Sequence, residues 1–173
     1  LKTLVAWQVI ISVGTLLAPI SLGSEAGLSA ALFYLLSTTW TVGGLFLVSE
    51  LVANQRGSAK DRIVTAPKMQ NRTFLSVLFL VGAVAAAGLP PLSGFFGKVL
   101  ILQSVQSGTE MAWLWSVLLI GSFLTVIAYS RAGSIVFWRT VDGHLEKPDP
   151  LNGRISVAAG ALTALAVVIV VLA

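Results

Sequence analysis

Residues 73–109 read TFLSVLFLVGAVAAAGLPPLSGFFGKVLILQSVQSGT, and Lys98 is the only charged residue among them. The run is apolar enough for a membrane helix, but the sequence GLPPLSG at 88–94 breaks it near its middle. A cation inside such a helix is costly, and residues of this kind usually line a path for ions or protons. The alternative is a structural kink whose lysine extends its side chain outward to the membrane surface.

Two prolines at the centre of the break determine its chemistry. Pro90 and Pro91 have no backbone N–H, so the carbonyls four residues earlier lose their helical donors; these belong to Ala86 and Ala87. In a bilayer, free carbonyls are tolerated only where protein or a water-filled cavity covers them. Discontinuous helices of this type form binding sites near the midplane of many transporters, and we expect a site here.

Small and polar residues flank the prolines. Gly88 and Gly94 are expected to let the backbone turn, and Ser93 is expected to cap the helix that restarts there. Lys98 then falls in the first turns of the second half-helix, where desolvation and the positive helix end both disfavour its charged form. The candidate site therefore combines Lys98, for proton transfer, with the broken-helix residues Gly88, Pro90, Pro91, Ser93 and Gly94.

Composition assigns the chain to the membrane proteins. Of its 173 residues 56% are hydrophobic and 10% are charged, with a mean hydropathy of +0.91, whereas soluble domains are about one-quarter charged. It has no cysteine, and its single histidine, His144, cannot form a metal site alone. No phosphate-binding or dinucleotide-binding pattern is present. We therefore expect no metal, no cofactor and, because the basic residues lie in loops, no nucleic-acid partner.

Five segments are long and apolar enough to cross a bilayer, which takes about 20 residues. We predict an all-α, polytopic membrane helix bundle whose third helix is discontinuous, with residues 1–173 forming a single membrane domain. The predicted spans are 4–22, 28–52, 73–106 with its break at 88–94, 112–138 and 155–173. The chain starts without Met and ends inside an apolar run, so we expect it to be a piece of a longer polypeptide.

The distribution of basic residues predicts the orientation. Loop 53–72 carries five Lys or Arg residues against one acid, and loop 139–154 carries three. The two loops of opposite parity, 23–27 and 107–111, hold one glutamate each, Glu25 and Glu110, but no Lys or Arg. Under the positive-inside rule, loops 53–72 and 139–154 are cytoplasmic and the other two are external.

Several stretches together resemble a known family. Residues 88–98, GLPPLSGFFGK, resemble the broken helix of the antiporter-like membrane subunits of respiratory complex I and of multisubunit monovalent cation/proton antiporters. Residues 1–7, LKTLVAW, and 33–39 with 45–47, FYLLSTT and LFL, resemble two consecutive helices of the second inverted repeat in these subunits. Residues 131–138, RAGSIVFW, resemble a stretch common in the MrpD-like subunits of the antiporters.

This resemblance implies that the chain is the C-terminal third of a subunit with about fourteen helices, corresponding to helices ten to fourteen. It implies a secondary transporter rather than an enzyme, a subunit of a multisubunit complex in a bacterial inner membrane that exchanges Na⁺ or K⁺ for H⁺. Family members keep a lysine or a glutamate at the Lys98 position, which is taken to exchange protons with the outer half-channel. Two other interpretations stay open: a proton-pumping subunit of complex I, and a non-transporting membrane scaffold whose helices serve only assembly.

The second predicted span departs from the family pattern. Many relatives carry a histidine after Y-L-L, where this chain has Ser37, and a lysine about one turn later, where it has Thr41 and Val42. Hydroxyl groups both donate and accept hydrogen bonds, so the hydroxyl residues of this span are candidates to line a water chain instead. The candidates are Ser37, Thr38, Thr39 and Thr41. The alternative is that each hydroxyl bonds back to its own helix.

Overall fold

A computed structural model describes residues 1–105, 109–141 and 153–172, and within them the chain is an all-α bundle. The one β contact in these ranges is an isolated bridge between Ala66 and Thr140. The helices are α1 (Lys2–Ser21), α2 (Glu25–Gln55), α3 (Arg72–Ala87), α4 (Ser93–Gln103), α5 (Thr109–Gly133) and α6 (Gly153–Leu172). The predicted fold class is confirmed.

The five predicted spans correspond to α1, α2, the pair α3 and α4, α5, and α6, and the third is discontinuous as predicted. α2 begins earlier than predicted because Ser24 caps it, its hydroxyl accepting the Gly27 N–H at 3.0 Å. Three predicted features lie outside the described residues. They are the end of the third span at Gln106, most of loop 139–154 including His144, and the last residue, Ala173.

Neither half of the broken span is long enough to cross a bilayer. The 16 residues of α3 rise about 24 Å, against a hydrocarbon core of roughly 30 Å, so α4 completes the crossing. Among the described residues, three other helical segments are long and apolar enough to span a membrane by themselves. They are Lys2–Ser21, Glu25–Gln55 and Met111–Trp138.

The buried core of the bundle is mostly apolar, but polar side chains also face its interior. α2 lies at its centre, packed against α1, α3, α4 and α6. The buried stripe of α1 is mostly polar, with Gln8, Ser12 and Thr15 at helical spacing, whereas Trp7 and Ile10 on its other face are 61% and 60% exposed. This pattern is the reverse of a soluble surface helix and fits a helix surrounded by lipid or by other membrane helices.

The connection between α2 and α3 folds around a buried arginine. Arg56 is 1% exposed, although it directly follows α2 in a loop rich in basic residues. Its guanidinium donates hydrogen bonds to three loop carbonyls, those of Lys60 at 3.1 Å, Arg62 at 2.6 Å and Val64. Both terminal nitrogens of the guanidinium thus donate to loop carbonyls, whereas the buried Nε has no hydrogen-bond partner among the described residues. These bonds fold the loop as a compact cap on the bundle.

The two basic loops start from the same end of the bundle. The backbone N–H of Val141, just after α5, donates to the carbonyl of Ala66 in loop 53–72 at 3.3 Å. This contact places the beginning of loop 139–154 against loop 53–72, as a five-span topology requires.

α5 ends in a wide π-helical turn, Ser134–Trp138. The N–H of Arg139 donates to the carbonyl of Ser134 at 3.0 Å, the five-residue spacing of a π-turn. The ring of Phe79 on α3 packs against Tyr129 and Phe137, with centroid distances of 5.8 and 5.3 Å. This aromatic cluster fastens α3 to the end of α5.

Candidate functional site

α3 ends at a glycine in the left-handed conformation. Gly88 has a φ of +75°, which residues with a Cβ rarely adopt. Its N–H donates to the Ala85 carbonyl at 3.1 Å, and the N–H of Leu89 donates to the Val84 carbonyl at 3.1 Å. These two bonds form a Schellman motif, which terminates a helix and turns the chain away from its axis.

Both carbonyls that the prolines leave without helical donors have side-chain donors in the structure. Gln8 Nε2, from α1, donates to the Ala86 oxygen at 3.2 Å. Lys98 Nζ, from α4, donates to the Ala87 oxygen at 2.8 Å. Protein therefore covers the exposed backbone of the break from two sides, which is the condition for an interrupted helix in a bilayer.

Lys98 lies in the second turn of α4 and is only 8% exposed. In addition to the Ala87 carbonyl, its Nζ donates to Ser122 Oγ on α5 at 2.7 Å. The side chain runs back to the break, so it does not extend outward to the membrane surface. In the part of the chain that the structure describes, no carboxylate pairs with this ammonium, and both of its hydrogen-bond acceptors are neutral.

Two glycines permit the close packing around this lysine. A Cβ at Gly88 would lie 2.7 Å from Lys98 Cδ and 2.9 Å from Nζ, so a side chain there would push the lysine aside. A Cβ at Gly94 would lie 2.0 Å from the Ala85 carbonyl oxygen. Gly94 was expected to permit a turn, but it sits within the first turn of α4, and its lack of a side chain lets α4 approach the end of α3.

Ser93 is not the cap that we predicted. It is the first residue of α4, and the N-cap residue, Leu92, makes no side-chain cap bond. The Ser93 hydroxyl instead accepts a hydrogen bond from Ser37 Oγ at 2.9 Å, with both residues fully buried. A polar contact to a neighbouring helix has replaced the local contact, because α2 lies directly against the break.

Hydroxyl groups from α1 and α2 extend this polar contact. Ser12 Oγ and Thr38 Oγ1 lie 2.8 Å apart, and Ser12 Oγ also donates to the Gln8 carbonyl at 2.9 Å. A small cavity of about 10 Å³ lies beside them, which is room for about one water molecule. Its lining residues are Tyr34, Ser37, Thr38, Thr41, Ala85, Ala86 and Gly94.

The four hydroxyl candidates of α2 divide into two pairs. Ser37 and Thr38 make hydrogen bonds to other helices, as a polar path between helices requires. Thr41 borders the small cavity, but its hydroxyl donates to the Ser37 carbonyl at 2.8 Å. Thr39 is exposed and donates to the Leu35 carbonyl at 2.7 Å, so it lies apart from the site. Thr41 and Thr39 therefore bond within their own helix, as the alternative interpretation predicted.

A groove between α1 and α5 leads from Lys98 to one end of the bundle. Its inner part has a volume of about 330 Å³ and is bordered by Lys98, Ser122 and Thr15. A second cavity of about 390 Å³ shares three of its lining residues and continues to Ser21 and Trp113. This end is opposite to the basic loops, since α1 finishes and α5 begins there.

Two residues of the site were missed by the sequence reasoning. Gln8 is the only amide in the first predicted span, and Ser122 is a hydroxyl in the interior of the fourth. Polar residues at such depth usually bond across helices, so both carried a signal. Which acceptor each would reach could not be deduced, because it depends on how α1 and α5 pack against the break.

The geometry also limits other chemistry at this site. No three His, Asp or Glu side chains of the described ranges lie close enough together to hold a metal ion. Glu50 Oε2 forms an ion pair with Lys2 Nζ at 2.6 Å, and both side chains remain partly exposed. This pair joins the start of α1 to α2 at the bundle surface and lies apart from Lys98 on the chain.

The family described as "NADH:quinone oxidoreductase/Mrp antiporter, TM" matches residues 1–128, a range that includes both halves of the broken helix and Lys98. The chain belongs to this family. The resemblance inferred from the broken-helix motif is therefore confirmed.

The chain's relatives in this transmembrane family have two kinds of name. The D-type subunit of a probable K⁺/H⁺ antiporter of Rhizobium meliloti is 33% identical, over 83% of this chain and 32% of the relative. The N-type subunit of the NADH-quinone oxidoreductase of Salinibacter ruber is 32% identical, over 99% and 35%. The N-type subunit of Hirschia baltica is 27% identical, over 99% and 36%. The chain spans about a third of the length of these curated relatives.

Proposed function

We propose that the chain is part of a membrane subunit that exchanges a monovalent cation, Na⁺ or K⁺, for protons, and that Lys98 carries the proton. The observation that supports this proposal is a buried lysine held at a helix break by two neutral acceptors, the Ala87 carbonyl and the Ser122 hydroxyl. Because no carboxylate of the described residues neutralises it, gaining or losing a proton breaks no ion pair. An intramembrane ionisable residue in this setting is a typical proton carrier.

In this proposal, water that enters the groove between α1 and α5 brings protons to Lys98. The groove walls are mostly apolar, but Thr15 and Ser122 border the lysine at its inner end, and the groove opens beside Ser21 and Trp113, on the external side in our orientation. The paired hydroxyls of Ser37 and Ser93 lie toward α2 and form a separate polar contact. Lys98 therefore exchanges protons with the outside, and the hydroxyl contact lies toward the centre of the bundle.

We place this chain, as one membrane domain of residues 1–173, in the bacterial inner membrane with loops 53–72 and 139–154 in the cytoplasm. Its partners are the other subunits of a multisubunit complex. The names of the bacterial relatives support the assignment to a multisubunit complex, since both kinds of name describe subunits of larger assemblies. The sidedness of the loops rests on their basic residues alone.

The test is cation-dependent proton flux in membrane vesicles that contain the intact protein. Lys98→Ala in the full-length subunit is expected to abolish exchange driven by Na⁺ or K⁺. The matched control is Lys68→Ala, which removes an exposed lysine of loop 53–72 and should leave exchange unchanged. Normal exchange by an assembled Lys98→Ala protein would overturn the proposed role and favour a scaffold.

A proton-pumping subunit of complex I is the second candidate function. The observation in its favour is that relatives at 32% and 27% identity are named as N-type subunits of NADH-quinone oxidoreductase. Purification of the native assembly separates the two functions. NADH oxidation coupled to proton movement would support complex I, whereas exchange without any dehydrogenase activity would support the antiporter.

A further inference from the structure

Another cavity borders the break at Ala87 and Leu89 and is distinct from the groove between α1 and α5. It occupies about 300 Å³ between α3 and the end of α5, and its walls are predominantly apolar. On α5 and the π-turn that follows it, the cavity extends from Val126 to Trp138, a separation of twelve residues, or about 18 Å at the α-helical rise. Half of a hydrocarbon core measures about 15 Å. The groove therefore has the length of one leaflet, which is the length of a single acyl chain.

Two arginines lie beside this groove, Arg139 at its end and Arg131 about midway along its α5 wall. Arg131 and Arg139 border a cavity of about 250 Å³ together with Ser134 and Ile135, and Ser134 also lines the apolar groove. The π-turn fixes this arrangement, since the Arg139 N–H is bonded to the Ser134 carbonyl at 3.0 Å. Both arginine side chains are exposed, and no carboxylate of the described residues pairs with either of them.

Two aromatic residues of the groove also favour an amphipathic occupant. Trp138 lines the groove and is 57% exposed, as tryptophans at a membrane–water interface commonly are. Tyr129 lines it and is 3% exposed, and its hydroxyl has no hydrogen-bond partner in the part of the chain described. Buried hydroxyls are normally paired, so a ligand that brings ester oxygens near Tyr129 would supply an acceptor that the protein does not.

We propose that this groove binds an anionic phospholipid of the cytoplasmic leaflet. One acyl chain lies between α3 and α5, and the phosphate lies between Arg131 and Arg139, whose guanidinium groups suit phosphate oxygens in pairs. The basic loops give this end its cytoplasmic assignment, and basic pockets between helices on that side are typical sites for anionic headgroups. Lys98 does not line this groove, although Ala87, whose carbonyl accepts from Lys98, forms part of its wall.

The apolar groove and the two arginines together favour a lipid over a free anion or an apolar helix. A free phosphate ion would use the two arginines but would leave the apolar groove empty. An apolar helix from a neighbouring protein would fill the groove but would leave beside it two cations that no carboxylate of the described residues pairs. Only a molecule with an acyl chain and an acidic headgroup satisfies both halves.

The experiment measures phospholipids that co-purify with the intact protein, using native mass spectrometry after extraction from its own membrane. We expect anionic phospholipid to be enriched over phosphatidylethanolamine, and Arg139→Gln to reduce that enrichment several-fold. Lys68→Gln is the matched control, because it removes one exposed charge at the same end of the bundle but lines neither cavity. Ser130→Trp fills the groove from an exposed position and is expected to reduce lipid retention similarly.

Four results would overturn the proposal. Equal lipid enrichment in wild type and Arg139→Gln would show that Arg139 does not bind the headgroup. Equal losses in Arg139→Gln and Lys68→Gln would show that the effect depends only on the general positive charge of this end. Full retention in Ser130→Trp would remove the acyl-chain site. Thermal unfolding of each variant shows whether it is folded, and a photo-crosslinker at position 130 identifies the occupant directly. A crosslink to protein instead of lipid would also contradict the proposal.

Discussion

Lys98 is held by the backbone defect that the prolines create. An uninterrupted helix would use the Ala87 carbonyl for its own ladder, but here that oxygen accepts from Lys98 Nζ at 2.8 Å. The same applies to the Ala86 carbonyl and Gln8 on α1. The free carbonyls of the break and the polar side chains around it therefore satisfy each other's hydrogen bonds. These contacts depend on small residues, Gly88 and Gly94, that let the neighbouring groups approach closely.

Gly88→Ala tests this dependence at one atom. The left-handed backbone is expected to cost about 1–2 kcal/mol of stability with a Cβ present. The new Cβ also meets Lys98 Cδ and Nζ at under 3 Å, and the flexible lysine will move out of its position. We therefore expect exchange to be lost with only a modest decrease in melting temperature, measured by proton flux and thermal unfolding of the same preparation.

Gly160→Ala is the control, because a Cβ at Gly160 in α6 has no neighbouring atom within 4 Å in the structure. It should leave both properties close to wild type. If Gly88→Ala retained full exchange, the close packing of Gly88 against the lysine would not matter for function.

Among the elements of the bundle, α2 makes a direct polar contact with the break. α2 reaches it through the bond from Ser37 Oγ to Ser93 Oγ, which joins two fully buried hydroxyls at 2.9 Å. A hydroxyl cannot store a proton as a histidine does. The proton path that we propose for this chain therefore depends on hydroxyl donors and acceptors in contact with each other.

A double-mutant cycle of Ser37→Ala and Ser93→Ala measures this contact. Each single variant leaves one buried hydroxyl unpaired, so the double variant should be less destabilised than the sum of the two. The coupling energy is expected to be about 0.5–1.5 kcal/mol from unfolding curves. Thr39→Val provides the comparison, since Thr39 bonds only to Leu35 of its own helix and should not couple to Ser93. Strictly additive effects of the two serines would contradict the interhelical bond.

At the scale of the whole molecule, sequence patterns predicted most of the architecture. The lengths of the apolar segments predicted the spans, because a helix must match the thickness of a bilayer. The two prolines predicted the position of the break, because their missing N–H groups are a property of the local covalent structure. The partners of Lys98 could not be predicted in this way. Ser122 is 24 residues away and Ala87 is 11 residues away, and only the packing of α5 against α3 and α4 brings them together. The π-turn at the end of α5 was likewise not visible in the apolar pattern.

Orientation is the property of the whole chain that remains a prediction. The chain has no cysteine, so Ser58→Cys in loop 53–72 introduces a single thiol, which should react with a membrane-impermeant maleimide only in inside-out vesicles. Ala26→Cys, at the start of α2, should react only in right-side-out vesicles. Both positions are exposed. The reverse labelling pattern would invert the topology and move the lysine groove to the cytoplasm.

The two acceptors of Lys98 have a consequence for how it can be discharged. An ammonium group has three N–H donors, and two of them are committed, one to the Ala87 oxygen and one to Ser122 Oγ. The neutral amine keeps two donors, which is the number these bonds require. The third proton is left for exchange through the groove, which Lys98 borders. In the function that we propose, Lys98 can therefore lose and regain this proton without changing its position, while water and neighbouring groups move.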